Sequence, residues 1–426
     1  MEENRYQWRM PAQTENQPST NMGIKIYNNK SVLEASRERI AYTFDNFEKI
    51  YLAFSGGKDS SVMFHLVMDE AIKRGRKIAV MYIDFEAQYA DTIKHVNEMF
   101  ETYADHIDRH WICIPMLLRN AVTNFEPRWV CWDEEKKAAW IRQKPHGCKT
   151  EKDYPFAAPK MEFEEFIVLF GQWYGEGKTT AGFIGIRAQE SLHRYCAIAT
   201  WQKKDVAFNG KMWTTKIVDS CYNVYPIYDW LTDDIWKYHS MFRDKQHNAI
   251  YNKMQMAGVP LKHQRLCQPF GDDQKKGLWL YHILEPETWF KLIARVNGAN
   301  SGALYCEDGG NMTGNRSVTL PAGHTWKTFC NMLLMSLPKK MRDHYMYRFK
   351  KFISGWKDRG YKEIPLEAPR QLEAKCWAPS WRRMCRCILR NDYWCKGLGQ
   401  TQPKSEAYIR YKQMKTDAKL STKPCS

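Results

Sequence analysis

The sequence predicts an α/β domain, its mostly parallel sheet covered by helices on both faces, followed by a mainly helical second domain. Three observations predict it. Short apolar runs of strand length recur at residues 50–54, 78–83 and 111–114. Between them, apolar residues fall three and four apart, the period of a helix that buries one face. Beyond about residue 261 strand alternation becomes scarce while helical periodicity persists. Strands that alternate with helices need crossover connections, which place helices against a parallel sheet.

Residues 1–25 are polar, with Pro11, Pro18 and several Gln and Asn, and read as a mobile leader. No apolar h-region follows the polar opening Met1-Glu2-Glu3-Asn4-Arg5, so no secretory signal is expected. From Ser31, the residues Val32, Leu33, Ala35, Ile40 and Phe44 share one helical face. The buried strand Ile50-Tyr51-Leu52-Ala53-Phe54 ends in a Ser-Gly-Gly turn. Val62, Met63, Leu66, Val67 and Ala71 mark the next helix, which stops near Arg74-Gly75. The strand at 78–83 ends at Asp84, a helix spans 89–103, and a third strand lies at 111–114. Residues 115–159 are rich in Trp and charge without a period, as suits an insertion over the sheet's ligand edge. Further strands at 181–186 and 216–218 flank a helix at 189–201, and another helix covers 233–243. Residues 287–295, 326–337 and 339–356 are helical in pattern. The five glycines of 297–315 mark a long loop, either a lid or a plain connection. The expected organisation is a leader to 25, an α/β domain over 26–245 and a basic helical domain over 246–426.

With 426 residues, 44% hydrophobic and 26% charged, the chain is an ordinary globular protein that needs no staple to fold. No apolar run approaches the roughly 18 residues of a membrane span, so no membrane association and a cytoplasmic location are expected. Thirteen cysteines, an odd number, fit a reducing compartment. Seventeen Trp exceed what a core of this size demands, so some rings are expected at a ligand or partner surface. From Lys339 onward there are 22 Lys and Arg against 8 Asp and Glu, +14 of the chain's +16. That asymmetry points to a polyanionic partner, nucleic acid first, or to a solvated helical surface.

The strongest chemical signal is strand, then Ser55-Gly56-Gly57-Lys58-Asp59-Ser60, then helix. Glycines let the backbone approach a phosphate with no Cβ in the way. A helix start offers unpaired N–H groups and a positive dipole end. Lys58 supplies charge for a pyrophosphate, Ser55 and Ser60 supply hydroxyls, and Asp59 would help hold Mg²⁺ through phosphates. The spacing is not that of a Walker A loop.

This segment resembles the Ser-Gly-Gly-x-Asp-Ser signature of PP-loop ATP pyrophosphatases and phosphoadenylyl-sulfate (PAPS) reductases. Gly185-Ile186-Arg187-Ala188-Gln189-Glu190-Ser191 is similar to the reductase branch's Gly-Ile-Arg-x-x-Glu-Ser loop. Tyr225-Pro226-Ile227-Tyr228-Asp229-Trp230, leading to Asp233-Asp234-Ile235-Trp236, is similar to its Pro-Ile-x-Asp-Trp motif. Cys267-Gln268-Pro269-Phe270-Gly271-Asp272-Asp273 and Trp394-Cys395-Lys396-Gly397-Leu398 resemble the uncharacterised subgroup containing immunoglobulin-binding regulator A. The resemblance implies an open five-stranded sheet of order 3-2-1-4-5, with the ligand across the carboxyl ends of the strands. It implies ATP or PAPS as ligand, contacted by residues 55–60, Asp84, Gly185 and Arg187.

Departures shape the functional expectation. Asp84-Phe85-Glu86 stands where the reductases carry Asp-Thr-Gly; Asp84 is expected near the nucleotide, or else as a helix cap. Arg187 is expected to fork onto a phosphate, or to pair with Glu190 or Asp229. Glu190 and Ser191 are expected to support that loop. The reductases' Glu-Cys-Gly-x-His segment has no counterpart, because Cys395 lacks the acid and the histidine, so PAPS reduction is not expected. Cys376, Cys385, Cys387 and Cys395 match no common Zn²⁺ or iron–sulfur spacing, and buried thiols are expected there. Asp272 and Asp273 read as a helix start or an acidic site. The favoured expectation is an ATP α-pyrophosphatase step, with Lys58, Asp59 and Arg187 catalytic, that adenylates an acceptor on a nucleic acid or partner protein. The alternatives are a sulfonucleotide-binding reductase-like enzyme and a nucleotide-sensing regulator without turnover.

Overall fold

The structure, a computed structural model, describes residues 29–123, 126, 128–199, 206–268, 270–271, 277–299, 319–337, 339–390 and 392–400. The leader, Asp272-Asp273 and all but the first residues of the 297–315 loop lie outside these. The chain divides into two units. The first holds Val130–Leu266 and the described part of Met1–Leu117; the second holds the described parts of Leu118–Trp129 and Cys267–Ser405. The division thus falls later than residue 245, and part of the expected insertion goes with the second unit.

In the first unit, helix α1 (Val32–Asn46) starts at a capping box. The Ser31 hydroxyl accepts from the Glu34 amide at 3.2 Å, and Glu34 accepts the Ser31 amide at 2.9 Å. Two otherwise orphaned donors are satisfied. Strand β1 (Lys49–Ala53) leads through the glycine turn into α2 (Lys58–Lys73). All six residues of β2 (Ile78–Ile83) are buried, as a central parallel strand requires. Helix α3 (Ala90–Thr102) then leads to β3 (Ile107–Ile112). Short strands β4 (Met116–Arg119) and β5 (Arg128–Cys131), each running across the division between the units, pair with each other, apart from the main sheet. Helix α4 (Phe163–Gly175) packs on the main sheet and precedes β6 (Thr180–Ile184). After α5 (Leu192–Ala199) come β7 (Thr214–Val218) and β8 (Cys221–Val224). Helices α6 (Thr232–Met241) and α7 (Ile250–Met256) follow.

The main sheet has six strands in the order β3-β2-β1-β6-β8-β7, all parallel but β7. The expected order holds through the fourth place. The fifth is taken by β8, which the sequence reading missed, and the strand expected at 216–218 lies outside it as antiparallel β7. The cause is a two-residue turn, Asp219-Ser220, with Ser220 at φ 59°. It lacks the glycine that usually announces such a hairpin. Strand β3 also begins earlier than expected, because Asp108 and Arg109 on this edge strand interrupt the apolar pattern.

The second unit is helical: α8 (Trp279–Leu284), α9 (Pro286–Arg295), α10 (Trp326–Ser336), α11 (Lys339–Lys357), α12 (Arg370–Ala374) and α13 (Trp381–Leu389). Its core joins Trp326, Phe329, Tyr345, Phe349, Phe352 and Met384. Among the described residues no helix is long and apolar enough to cross a membrane.

Candidate functional site

The order of strands reverses between β1 and β6, and in open α/β sheets ligands bind outside the carboxyl ends of the strands at such a point. Residues 55–60 follow β1, and Gly185-Ile186-Arg187 follows β6, so the two segments meet there.

The turn itself demands glycine. Gly56 has φ +71°, and a Cβ on it would lie 2.9 Å from the Thr92 methyl and 3.0 Å from a Val96 methyl. Gly57 caps α2 without any side-chain hydrogen bond. The two serines brace the bend: Ser55 Oγ lies 2.9 Å from Ser60 Oγ, which donates to the Gly57 carbonyl at 3.0 Å. The α2 helix presents its positive end to this loop.

Three charged side chains converge there. Lys58 is buried, with Nζ 2.9 Å from Asp59 Oδ2 and 3.3 Å from the Gln264 carbonyl. Arg187 is also buried and places Nε 2.6 Å from Asp59 Oδ1. Burial would raise the Asp59 pKa, but the Lys58 and Arg187 charges outweigh it and hold the carboxyl below its ordinary range. Gly185 packs beside the loop, where a Cβ on it would make an ordinary contact with the Ser60 Cα at 3.4 Å. Arg187 Nη1 reaches Gln189 Oε1 at 3.2 Å and the Trp230 carbonyl at 3.4 Å. Nη2 makes no hydrogen bond among the described residues. Of the ion pairs expected for Arg187, Glu190 stands further off at 3.6 Å, and Asp229 is taken by Arg39 through bonds of 2.9 and 2.6 Å.

Asp84 is placed differently from a free nucleotide contact. Its carboxylate accepts from Trp111 Nε1 at 2.8 Å, from the Glu86 amide at 2.9 Å and from Arg142. It does not cap α3, whose N-cap is Tyr89. Trp132 Nε1 donates to the Asp84 carbonyl at 2.6 Å, so this residue ties the 131–149 segment to the sheet. Near it, the neighbouring thiol of buried Cys113 lowers the Cys148 pKa to about 7.

Several residues around the loop carry no sequence signal. The Tyr251 hydroxyl accepts the Lys58 amide at 3.0 Å. Asn248 Nδ2 donates to the Gly56 carbonyl and to Thr92 Oγ1, both at 2.9 Å. His239 Nε2 lies 3.2 Å from the Lys58 carbonyl, and His95 Nε2 lies 2.8 Å from Ser61 Oγ. Burial lowers the His239 pKa to about 4 and the His95 pKa to about 3, so both are neutral near pH 7.

The second-unit cysteines are packed rather than gathered. Cys385 donates to the Trp326 carbonyl at 3.2 Å, Cys387 contacts Asp392 Oδ2 at 3.5 Å, and Cys376 the Gly397 carbonyl at 3.8 Å. Cys385, Cys387 and Cys395 belong to the apolar core. Among the described residues, no group of three or more His, Cys, Asp or Glu could hold a metal ion.

The phosphoadenosine phosphosulfate reductase domain matches residues 49–260. A domain of unknown function (DUF3440) matches residues 258–374 and 361–408. An uncharacterised protein of Escherichia coli (strain K12), YbdN, is 39% identical over 386 residues, 90% of this chain and 94% of that protein. An uncharacterised Methanocaldococcus jannaschii protein, MJ0066, is 25% identical over 54% of this chain and 40% of its own length. Solved structures with some likeness include the Candida glabrata FMN adenylyltransferase with FAD and pyrophosphate, at 14% identity and TM-score 0.31, covering 52% of this chain and 59% of that one. The U34-tRNA thiolase NcsA from Methanococcus maripaludis shows 13% identity and TM-score 0.28, covering 70% and 88%. At such TM-scores the likeness carries no argument. The matched domain and the E. coli relative carry it: the chain belongs to the PAPS reductase-like family of PP-loop proteins.

Proposed function

We propose that this chain is an enzyme of the ATP α-pyrophosphatase type, which adenylates an acceptor. The observation that supports it most is the convergence of Lys58, Asp59 and Arg187 on the start of α2 at the sheet's switch point. In this reading the phosphates of ATP lie on the 55–60 loop. An acceptor hydroxyl oxygen attacks the α-phosphorus and gives up its proton to solvent, the bond from that phosphorus to the α–β bridging oxygen breaks, and pyrophosphate leaves with that bond's electron pair. Lys58, the loop amides and Arg187 Nη2 neutralise the charge that gathers on the leaving group, in a site where burial strengthens them. Mg²⁺, held through Asp59 and the phosphates, would supply further charge stabilisation.

The acceptor is assigned to a nucleic acid or a partner protein, because +14 of the charge lies beyond Lys339. Pyrophosphate release from ATP, followed with and without added RNA or DNA, tests the proposal. Release that disappears in Lys58→Ala and Arg187→Ala supports it. ATP binding without release under any condition would favour the sensor reading instead. The sulfonucleotide reading draws on the half-buried Cys148 thiol, and requires that Cys148→Ser abolish turnover of PAPS while its binding survives.

A further inference from the structure

We propose that Tyr251 is a latch displaced by the nucleotide: its phenol oxygen holds the place that a phosphate oxygen takes on the Lys58 amide. The inference rests on the nucleotide reading above and adds the regulation of that site.

The Lys58 N–H is the first of α2, and such a group has no partner within its own helix. The Tyr251 hydroxyl accepts it at 3.0 Å, in the position from which a bound anion would. Glycine at 57 opens the same space. A Cβ there would stand 3.3 Å from the Tyr251 hydroxyl and 3.3 Å from Ser55 Oγ. The phenol therefore fills the gap that the loop's second glycine leaves for close approach of a ligand. Two oxygens cannot share that point.

The latch also covers the lysine. Lys58 Nζ lies 5.7 Å from the Tyr251 ring centroid, and among the described residues its polar partners are Asp59 and the Gln264 carbonyl. All of these belong to the first unit.

Tyr251 is 2% exposed and sits on α7, which is anchored to the loop it blocks. Asn248 Nδ2 holds the Gly56 carbonyl while its Oδ1 accepts the Ile250 amide at 3.1 Å. Lys253 pairs with Asp91 at 2.7 Å, tying α7 to the first turn of α3. A neutral phenol is a suitable stand-in. Its hydrogen bond to the amide is weaker than the charge-assisted bond a phosphate makes, so exchange runs toward the nucleotide. Apparent affinity is then the intrinsic affinity reduced by the fraction of molecules already unlatched.

Tyr251→Phe keeps the ring and removes the blocking oxygen. Calorimetric titration with ATP, and separately with PAPS, should show binding about fivefold tighter than in the wild type, the worth of one neutral hydrogen bond. In the unsubstituted protein, hydrogen exchange should quicken across the 250–256 peptide on adding ATP and slow at the Lys58 amide. Affinity unchanged within about twofold would overturn the latch. So would weaker binding, which would mean that the phenol donates to the bound nucleotide, or protection of 250–256 by ATP. The two layers separate cleanly. If the wild type binds and Lys58→Ala does not, while Tyr251→Phe matches the wild type, only the latch fails. If none of the three binds ATP or PAPS, the nucleotide reading fails and takes the latch with it.

Discussion

Replacing Asp59 by Asn tests whether the charged cluster exists to receive an anion. The Lys58 and Arg187 side chains are 6% and 4% exposed, and Asp59 at 17% is the carboxylate closest to both. Removing one partner of a buried pair typically costs about 3–5 kcal/mol, because the remaining charge is left uncompensated. Here the lysine keeps the Gln264 carbonyl and the arginine keeps Gln189 and a distant Glu190, so a loss of about 3 kcal/mol is expected. A polyphosphate restores the missing negative charge. In the wild type it must also approach Asp59, which repels it when no metal is present. The assay is urea unfolding, followed by tryptophan fluorescence, with and without saturating ATP in the presence of EDTA. The variant should be the less stable protein alone, and ATP should close at least half of the gap. The gap should also shrink in acid. The Asp59 pKa is depressed on folding, so its contribution is present above the unfolded value of 3.8 and is lost as pH falls through the folded one. A variant as stable as the wild type, or a gap that ATP leaves untouched, would refute the reasoning.

Three further outcomes are expected. Gly56→Ala places a Cβ at φ +71° against Thr92 and Val96, costing about 3 kcal/mol in strain and overpacking; urea unfolding reads this, and ATP binding should be lost with it. Arg39→Ala removes the two-pronged bond to Asp229 and the bond to the Pro226 carbonyl, so a loss of about 3 kcal/mol and a severalfold rise in KM for ATP are expected in unfolding and kinetic assays. Burial lowers the pKa of His65 and His110 to about 4 and that of His95 to about 3, against 6.5 when unfolded. The unfolded chain therefore binds more protons as pH falls below 6.5, and each of these buried rings should cost about 2 kcal/mol at pH 5; His95→Gln should flatten the thermal-melt profile between pH 7 and 5.

The first, second and fourth strands of the sheet and the phosphate-type loop were legible because each leaves a local trace. Buried central strands read as unbroken apolar runs, and Ser55 to Ser60 concentrates its chemistry in six neighbours. What escaped was non-local. Tyr251 and Asn248 act on residues 193 and 192 positions away, and no period or spacing announces such contacts. Strand β8 escaped because Asp219-Ser220 makes its turn without glycine, and β3 was clipped because an edge strand tolerates Asp108 and Arg109. Asp84 was correctly placed at the end of β2, but its partner Trp111 comes from the neighbouring strand β3, and Arg142 depends on how residues 131–149 fold back.

The third motif bears on Arg187 through the segment that α1 holds in place. In α1, Ser36 Oγ and the Val32 carbonyl accept the Trp230 indole N–H at 2.8 and 3.1 Å, while Arg39 grips Asp229 and the Pro226 carbonyl. The segment so fixed offers the Trp230 carbonyl and Thr232 Oγ1 to Arg187 Nη1, at 3.4 and 3.5 Å. With Nη1 set by this segment and Nε set by Asp59, the guanidinium has one orientation, and in the proposed reaction Nη2 would be the donor left for an incoming anion. A donor fixed before the ligand arrives needs no reorganisation at the moment of reaction, which is where electrostatic catalysis gains most. A lysine at 187 could not serve, because an ammonium lacks the planar fork that lets one group be held at two corners and offered at the third. On this argument the Pro-Ile-x-Asp-Trp segment and α1 are positioning elements. Their substitution should alter KM and kcat together while leaving the Lys58 and Asp59 contact intact.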